Sequence, residues 1–305
     1  MSAPPDDGSR CPPTWAPLYA IMPLLSCVAR GKRGTFLELG AHDGITSSNT
    51  LLLEDCMKWQ GVLIEGNPQL IGRLRANRNA TGRRVQIIHS AVSSKCSADG
   101  TIAFAPASRA SEQAGLADVL AARGARHTKW WQNAPVSCAP LRVLLARTLP
   151  RLGATRLDFA SIDVEGSERF VVESMIGVSE DQQGTSQQLV DPLLAARSRA
   201  QGRSAVLPTV ILIEATGPAS KDAAVEALLL SAHYVRARAL EVRVRGHPSA
   251  RNRVFVLPDG SACADFVRAP PADLAVRCNL RGAPIRGAPL RVSATTFRCG
   301  NASGV

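Results

Sequence analysis

The stretch Thr35-Phe-Leu-Glu-Leu-Gly-Ala-His-Asp-Gly44 decides which fold we expect for this chain. Its apolar first half is typical of a short buried strand, and Gly40 and Gly44 bracket a turn directly after it. The polar residues at 47–50 are candidate N-caps for a helix that begins near Leu51. A strand, a glycine turn and a helix start form the opening unit of nucleotide-binding α/β folds, in which backbone N–H groups approach a ligand closely. An ordinary strand-to-helix corner has the same pattern, so the choice depends on the rest of the chain.

Five predicted strands alternate with helical segments, and the opening stretch is the first of them. The others lie at Gly61–Ile64, Val85–His89, Leu157–Asp163 and Thr209–Glu214, and an antiparallel pair follows at Tyr234–Val244 and Arg253–Leu257. This order predicts an α/β protein, a three-layer sandwich around a mostly parallel seven-stranded sheet. We expect three parts: residues 1–30 with a short packing helix, a main domain at 31–259, and an irregular tail at 260–305.

Two irregular segments interrupt this order. One contains Trp130 and Trp131, and either a loop that covers a substrate or a locally packed loop fits its sequence. The other, Gly177–Ser204, is polar and predicts little regular structure.

Acidic residues stand at the ends of three predicted strands. They are Glu65 after the second strand, Asp163, Glu165 and Glu168 after the fourth, and Glu214 at the end of the fifth. The carboxyl ends of parallel strands share one edge of a sheet, where open α/β sheets hold their ligands. Ionised groups at buried strand ends are costly unless they are paired, hydrogen-bonded or metal-bound, which favours a functional role. The structural alternatives are a solvated strand end for Glu65 and a helix N-terminus for Glu168.

The charge of the glycine turn separates two classes of cofactor. A dinucleotide site requires G-x-G-x-x-G so that a diphosphate can approach, but His42 occupies the place of the second glycine. Glu38 and Asp43 add negative charge, which repels a diphosphate and attracts a cation. The sulfonium and ammonium groups of S-adenosylmethionine are cationic. The turn therefore favours a methyl donor over a nicotinamide dinucleotide.

The net charge of +11 does not predict a polyanionic partner. The arginines are scattered along the chain, and no basic stretch is interleaved with aromatic residues, so we expect no nucleic-acid partner. The apolar run Trp15–Ala29 is interrupted by Pro17 and Pro23 and is too short to span a bilayer comfortably. We expect it to be a packing helix, and we expect no transmembrane segment.

Cysteine usage leaves the compartment open. The eight cysteines show no CxxC pair and no zinc-like spacing. Cys56 and Cys138 lie in apolar surroundings and are expected to be buried thiols, whereas two of the three cysteines after residue 260 could form a disulfide in a secretory compartment. Glycosylation sequons at Asn79 and Asn301 permit that location. The cytoplasm is slightly favoured, and a lumenal or secretory location is the alternative.

Four blocks of sequence together resemble the FkbM family of S-adenosylmethionine-dependent methyltransferases. They are Phe36-Leu-Glu-Leu-Gly-Ala-His-Asp-Gly44, Ser48-Asn-Thr50, Gly61-Val-Leu-Ile-Glu-Gly-Asn-Pro68 and Ser161-Ile-Asp-Val-Glu-Gly-Ser-Glu168. The blocks occur in order, and Arg253-Val-Phe-Val256 resembles the closing strand of the family. The resemblance implies a class I methyltransferase (Rossmann-like) fold and transfer of a methyl group, typically to a hydroxyl oxygen of a sugar or small natural product. The segment Gly177–Ser204 and the tail depart from the family, which leaves the acceptor open.

The resemblance also implies a set of residues that hold S-adenosyl-L-methionine. The set is Glu38, Gly40, Ala41, His42, Asp43, Gly44, Asn49, Glu65, Asn67, Ser90, Ala91 and Asp163. Glu65 would hold the ribose hydroxyls, Ser90 and Ala91 would border the adenine together with His89, and Asp163 would face the reacting methyl group.

Methyl transfer to a hydroxyl requires a base that takes its proton or a metal ion that lowers its pKa. The acidic residues at the strand ends could serve either purpose. Asp163, Glu165 and Glu214 are the candidate catalytic residues, and His42 is an alternative base. A bound Mg²⁺ ion is a further hypothesis without assigned ligands. We expect a small-molecule or glycan acceptor. The alternative function is a non-catalytic scaffold that keeps the fold, but a scaffold has no need of acids at its strand ends.

Overall fold

The computed structural model describes residues 16–30, 32–46, 48–79, 84–105, 114–122, 133–177, 206–215, 219–241, 251–258, 263, 273–277, 289–293 and 297–298. In chain order the elements are α1 Ala16–Ala29, β1 Thr35–Leu39, α2 Leu51–Met57, β2 Gln60–Glu65, α3 Ile71–Asn79, β3 Val85–His89, β4 Ala91–Val92, β5 Gly100–Ala105, β6 Gly115–Leu116, α4 Ala117–Ala122, β7 Ala134–Ala139, α5 Leu141–Thr148, β8 Leu157–Ile162, α6 Glu168–Ile176, β9 Pro208–Ala215, α7 Ala219–Ser231, β10 Val235–Arg236, β11 Arg251–Val256, β12 Asp273–Arg277, β13 Pro289–Ser293 and β14 Phe297–Arg298. Short 3₁₀ turns lie at Pro150–Leu152 and Arg238–Leu240.

The main sheet has seven strands in the spatial order β3-β2-β1-β8-β9-β11-β10. Five of them are parallel, and β11 runs antiparallel to both of its neighbours. The strand order reverses between β1 and β8, and in open α/β sheets such a switch point opens a crevice outside the carboxyl ends of the strands. The predicted mostly parallel seven-stranded sheet is confirmed.

Alternation of apolar side chains on the strands builds a core on each face of this sheet. On β9, Val210 and Leu212 join one core while Ile211 and Ile213 join the other, as a strand with a period of two requires. The first core also contains apolar residues of α1 and α2, and the second contains those of α5, α6 and α7. Helices therefore cover both faces, and the protein has the expected three layers.

A smaller sheet extends the fold beside the main one. Its order is β4-β7-β5-β6, and β4 follows β3 after a single residue, so the small sheet continues directly from the main one. Cys96 lies just before β5, and the register pairs Gly100 of β5 with Cys138 of β7. This pairing brings the two cysteines together, and they form a disulfide bond.

The first helix is part of the main core, because five of its apolar side chains are almost fully buried: Leu18, Ile21, Met22, Leu24 and Leu25. The Arg156 guanidinium bridges the end of α1 to β8 by donating to the Val28 carbonyl (2.6 Å) and pairing with Asp158. Asp158 in turn accepts the Thr35 N–H at 2.8 Å. A second disulfide, Cys27–Cys263, joins α1 to the chain beyond β11.

The structure differs from the sequence expectations in three places. Cys138 is bonded to Cys96, so it is not a free thiol; the sequence does not show the strand register that brings them together. Cys263 pairs with Cys27 rather than with another late cysteine. The tail expected to be irregular contains β12, β13 and β14, which form an antiparallel sheet; the alternating apolar residues of these strands are short runs among many Pro, Gly and Arg residues.

Some expectations concern residues outside the described part of the chain, and one predicted strand is shorter than expected. Trp130 and Trp131, and all of Gly177–Ser204 except Gly177 itself, lie outside the described part of the chain. The closing pair is antiparallel, but β10 contains only two residues before the chain enters a 3₁₀ turn. None of the helices in the described ranges has the length and apolar character that crossing a bilayer requires.

Removal of the Cys27–Cys263 bond should destabilise the protein, because it links positions 236 residues apart and so restricts the unfolded chain. We expect the Cys27→Ala/Cys263→Ala variant to lose about 2–4 kcal/mol of unfolding free energy. Urea denaturation of the variant and the wild type, both without reductant, measures this loss. An unchanged denaturation midpoint would contradict the structural role of this bond.

Candidate functional site

A cavity of about 970 Å³, its open mouth included, lies at the carboxyl ends of β1, β2 and β8. Its lining comprises Glu38, Leu39, Gly40, His42, Thr46, Asn49, Ile64, Glu65, Gly66, Leu70, Ser90, Ala91, Val92, Phe104, Ala114, Gly115, Leu116, Ser161, Asp163, Val164, Glu165 and Ser167. Because these positions are the switch point of the sheet and the loops around it, the cavity is where an α/β fold is expected to bind its ligand.

The loop between β1 and α2, residues 40–50, forms one wall of the cavity, and we call it the donor loop. It packs tightly against the end of β8, since a Cβ on Gly40 would lie only 1.8 Å from the Asp163 carbonyl oxygen. Gly40 also has a φ of +76°, a conformation that residues with a side chain rarely adopt. His42 has a φ of +51°, so this turn holds a non-glycine residue in the left-handed region.

Glu38 at the carboxyl end of β1 ties the far end of the donor loop to the sheet. Its carboxylate accepts hydrogen bonds from the Ser48 hydroxyl (2.9 Å), the Thr50 hydroxyl (2.6 Å) and the Asn49 N–H (2.6 Å). Burial raises the pKa of Glu38, whereas the nearby Arg78 charge and these hydrogen bonds lower it. Glu38 thus both orders the loop and places a carboxylate in the cavity wall.

Two residues of α3 hold the donor loop from the side away from the cavity. The Asn77 side chain donates to the Asp43 carbonyl at 2.8 Å, and Arg78 donates to the Gly44 carbonyl at 2.6 Å. The Asp43 carboxylate points back into the loop, where it accepts the N–H groups of Ile45 and Thr46. Asp43 and Gly44 therefore shape the loop.

Glu65 at the end of β2 is buried next to the donor loop. Its carboxylate accepts the His42 N–H at 2.7 Å and the Asn67 N–H at 2.7 Å. Burial raises the pKa of Glu65, and these hydrogen bonds oppose that rise. Each carboxylate oxygen carries a second lone pair, so Glu65 can also accept hydrogen bonds from the hydroxyls of a ligand in the cavity.

Asp163, directly after β8, belongs to a group of carboxyls. Its pKa is raised well above the usual range, first by burial and then by the charge of Glu214 and a hydrogen bond to the Glu214 carboxyl. The charges of Glu165 and Glu168 raise it further. Burial and the neighbouring carboxyls therefore make Asp163 a stronger base than an ordinary aspartate.

The opposite wall of the cavity comes from the small sheet. Ser90 stands between β3 and β4, Ala91 begins β4, and the Ser90 hydroxyl donates to the Ala91 and Ser137 carbonyls. Phe104 and Leu116 lie on the paired strands β5 and β6 and add apolar surface. An apolar wall next to small residues suits a flat aromatic ring such as adenine.

Most of the residues predicted from the sequence line the cavity. Eight of the donor-site set do so: Glu38, Gly40, His42, Asn49, Glu65, Ser90, Ala91 and Asp163. Ala41, Asp43, Gly44 and Asn67 are not in the lining, and direct contact of any residue of the set with a donor stays a prediction. Of the catalytic set, Asp163 and Glu165 line the cavity, and Glu214 interacts with Asp163 from behind.

Sequence reasoning missed the wall made by Phe104 and residues 114–116. These residues reach the cavity only because β5 and β6 pair in the small sheet, and no local pattern indicates that pairing. Leu70 and Thr46 were also missed, although both are close in sequence to predicted residues and a search of flanking positions would have found them.

The charge of the lining is strongly one-sided. Among the described residues, it includes the carboxyl groups of Glu38, Glu65, Asp163 and Glu165 and no lysine or arginine. Such a cavity disfavours a diphosphate and attracts a cation. Within the described ranges, no group of three or more His, Cys, Asp or Glu side chains is arranged to hold a metal ion, so the magnesium hypothesis gains no support.

Three solved structures show a similar chain path at low sequence identity. A human methyltransferase 10 domain-containing protein is 9% identical, with 84% of this chain and 87% of that chain covered and a TM-score of 0.37. Human methyltransferase-like protein 13 in complex with SAH is 10% identical, with 84% of this chain and 87% of that chain covered and a TM-score of 0.35. Precorrin-6y C5,15-methyltransferase from Geobacter metallireducens is 12% identical, with 77% and 85% covered and a TM-score of 0.34.

The family comparison is more specific. No curated protein sequence matches the chain significantly. Residues 38–236 match the methyltransferase FkbM domain, and this range contains the donor loop, Glu65 and the acidic group after β8. The strand order and the acidic cavity agree with that match. The chain therefore belongs to the FkbM domain family and is an S-adenosylmethionine-dependent methyltransferase with the class I, Rossmann-like fold.

Proposed function

We propose that this methyltransferase transfers a methyl group to a hydroxyl oxygen of a small-molecule or glycan acceptor. The observation that supports this proposal most directly is the Asp163–Glu214 pair at the edge of the cavity. A hydroxyl is a poor nucleophile until a base takes its proton, and a carboxyl with a raised pKa is a suitable base near neutral pH. Asp163 lines the cavity and has a raised pKa, so it has both the position and the basicity for that role.

We propose that one part of the cavity binds the methyl donor and another part activates the acceptor. When bound, S-adenosylmethionine supplies an electrophilic methyl group. Glu38 and the donor loop would hold the cationic end of the donor, Glu65 would accept its ribose hydroxyls, and the wall with Phe104 would contact adenine. Asp163 lines the same cavity and would take the proton of an acceptor hydroxyl. Methyl transfer is an in-line displacement, so this alignment supplies much of the rate.

The same electrostatics restrict the acceptor. Four carboxylates around the cavity would repel a phosphorylated or carboxylated acceptor, so we propose an acceptor without negative charge at the reacting group. A sugar hydroxyl meets that condition. Glu165, with a φ of +53° and a place in the lining, is the residue that we expect to contact such an acceptor.

We also propose a lumenal or secretory location in place of the slightly favoured cytoplasm. The disulfides Cys27–Cys263 and Cys96–Cys138 support this proposal, because such bonds persist in oxidising compartments and are rare in the cytosol. Glycan acceptors are abundant in those compartments, which is consistent with the proposed acceptor class.

Donor binding should depend on Glu65. We expect wild-type protein to bind S-adenosylhomocysteine and the Glu65→Ala variant to bind it about 100-fold more weakly, because buried hydroxyls of the ligand lose a charged acceptor. Isothermal titration calorimetry measures both, and Asp99→Ala, at an exposed surface position, is the control. Failure of the wild type to bind at millimolar concentrations would exclude the donor site, whereas equal affinity of wild type and Glu65→Ala would exclude only the ribose role.

Donor affinity should fall towards acid pH, starting at a higher pH than an ordinary glutamate would cause. The pKa of Glu65 is raised by burial, and a protonated Glu65 loses one acceptor oxygen. The free energy of unfolding depends on pH in the opposite direction. Because the pKa of Glu65 is raised in the folded state, the folded protein binds the proton more tightly and loses stability as the pH rises through that pKa. Calorimetry with S-adenosylhomocysteine between about pH 5 and 8 should show the decline, and Glu65→Gln should reduce it. A pH-independent affinity in wild type would contradict this prediction.

Methyl transfer should depend on the carboxyl pair more than donor binding does. We expect Asp163→Asn and Glu214→Gln to lower turnover by about 100-fold or more, the usual contribution of a general base. Transfer from radiolabelled donor to a panel of sugars measures turnover, and calorimetry with S-adenosylhomocysteine verifies that the variants still bind. Full turnover in both variants would exclude the pair as base, and a wild type that binds donor product but labels no acceptor of any class would favour the scaffold alternative.

A further inference from the structure

The last turn of α3 holds the donor loop without lining the cavity. Asn77 and Arg78 donate to the consecutive carbonyls of Asp43 and Gly44, at 2.8 and 2.6 Å. Arg78 also donates to the Ser48 hydroxyl at 3.3 Å, and Ser48 lies further along the loop, after Gly44. One guanidinium therefore contacts both the middle and the end of the loop.

The contact between Arg78 and the loop is close along its whole length. A Cβ on Gly44 would lie 2.6 Å from the Arg78 Cγ atom, so the loop backbone rests directly on the aliphatic part of this side chain. The Arg78 side chain is completely buried. Any change in its shape must move either α3 or the loop.

The burial of this charge needs an explanation, because a guanidinium is costly to remove from water and a hydrophobic residue often stabilises such a position equally well. Glu54 of α2 provides a counter-ion, with the Arg78 Nη2 atom 2.6 Å from the Glu54 Oε2 atom. The two arms of the guanidinium serve different partners: Nη2 faces Glu54, while Nη1 donates to Gly44 and Ser48. Only a forked side chain can make both sets of contacts at once.

Ser48 connects Arg78 to the cavity. Its hydroxyl accepts from Arg78 and donates to the Glu38 carboxylate at 2.9 Å. The groups that face Glu38 are thus Ser48, Asn49 and Thr50 of the loop and, behind them, the Arg78 charge with Glu54 beside it. The positive charge of Arg78 lowers the pKa of Glu38 against the effect of burial. Glu38 lines the cavity, so the charge state of the donor wall depends on a residue outside it.

We propose that Arg78 is a positioning residue for the methyl donor, which fixes the donor loop from the side away from the cavity. This inference rests on the proposed donor site. Asn77 assists by holding the neighbouring carbonyl. A purely structural role for Arg78 would affect folding alone, whereas the proposed role changes the affinity for the donor in a protein that is still folded.

The test compares two arginines of the same helix. Arg78→Lys keeps the charge but loses the forked contacts, and Arg75→Lys is the matched control because Arg75 is exposed on α3. We expect Arg78→Lys to weaken binding of S-adenosylhomocysteine by about 10-fold, and Asn77→Ala to weaken it by several-fold, with Arg75→Lys unchanged. Calorimetry at one pH measures the affinities, and circular dichroism verifies that each variant is folded.

A second measurement tests whether the positive charge of Arg78 acts on Glu38. In Arg78→Met we expect the affinity to decline towards acid pH from a higher pH than in wild type, because Glu38 gains a proton more easily without the adjacent cation. The Arg78→Met/Glu38→Gln double variant should then lose less affinity than the sum of the single losses, since both act on one network. If Arg78→Met does not fold, Arg78→Lys and Asn77→Ala still provide the test.

The outcomes distinguish this inference from the proposed function. If wild type and Arg75→Lys both fail to bind S-adenosylhomocysteine, the proposed donor site is wrong. If both bind and folded Arg78→Lys and Asn77→Ala bind equally well, the donor site stands and the positioning role of Arg78 is overturned. Weaker binding by these two variants alone supports it.

Discussion

The contact between Gly40 and the Asp163 carbonyl is the constraint on which the site depends. It joins the donor loop after β1 to the acidic segment after β8, at the point where the strand order of the sheet reverses. No side chain fits between the two backbones, so the proposed donor wall and the carboxyls after β8 keep a fixed separation. A rate that comes from alignment requires that kind of rigidity.

The fold could be predicted largely from the sequence, because its central strands carry local signals. The apolar run of β1, the glycine turn and the strand-end acids all lie within a few residues of each other. The small sheet and its disulfide could not be predicted in the same way, since Cys96 meets Cys138 through a strand register and not through a sequence spacing. The strands after residue 260 were missed because their apolar alternation is brief and surrounded by Pro, Gly and Arg.

The candidate site was predictable where chemistry and strand ends coincide. Glu38, Glu65 and Asp163 can be recognised from the sequence because each is a carboxylate at or near the end of an apolar run. Phe104 carries no such signal, because an aromatic residue on a strand is ordinarily part of a core. Arg78 was also invisible, since a single arginine near the end of a polar helix is ordinarily a solvated residue, and only the structure shows that it is buried against Gly44.

The two-sided burial of the main sheet has a consequence for how such a protein can acquire a new acceptor. Val210 and Ile211 point to opposite cores, as do Phe36 and Leu37, so neither face of these strands is open to change without loss of packing. Apart from the donor loop and the segment after β8, the loops at the carboxyl edge tolerate change better than the strands that they connect. We therefore expect a change of acceptor to arise from substitutions in those loops, while the strands that align the reactants stay the same.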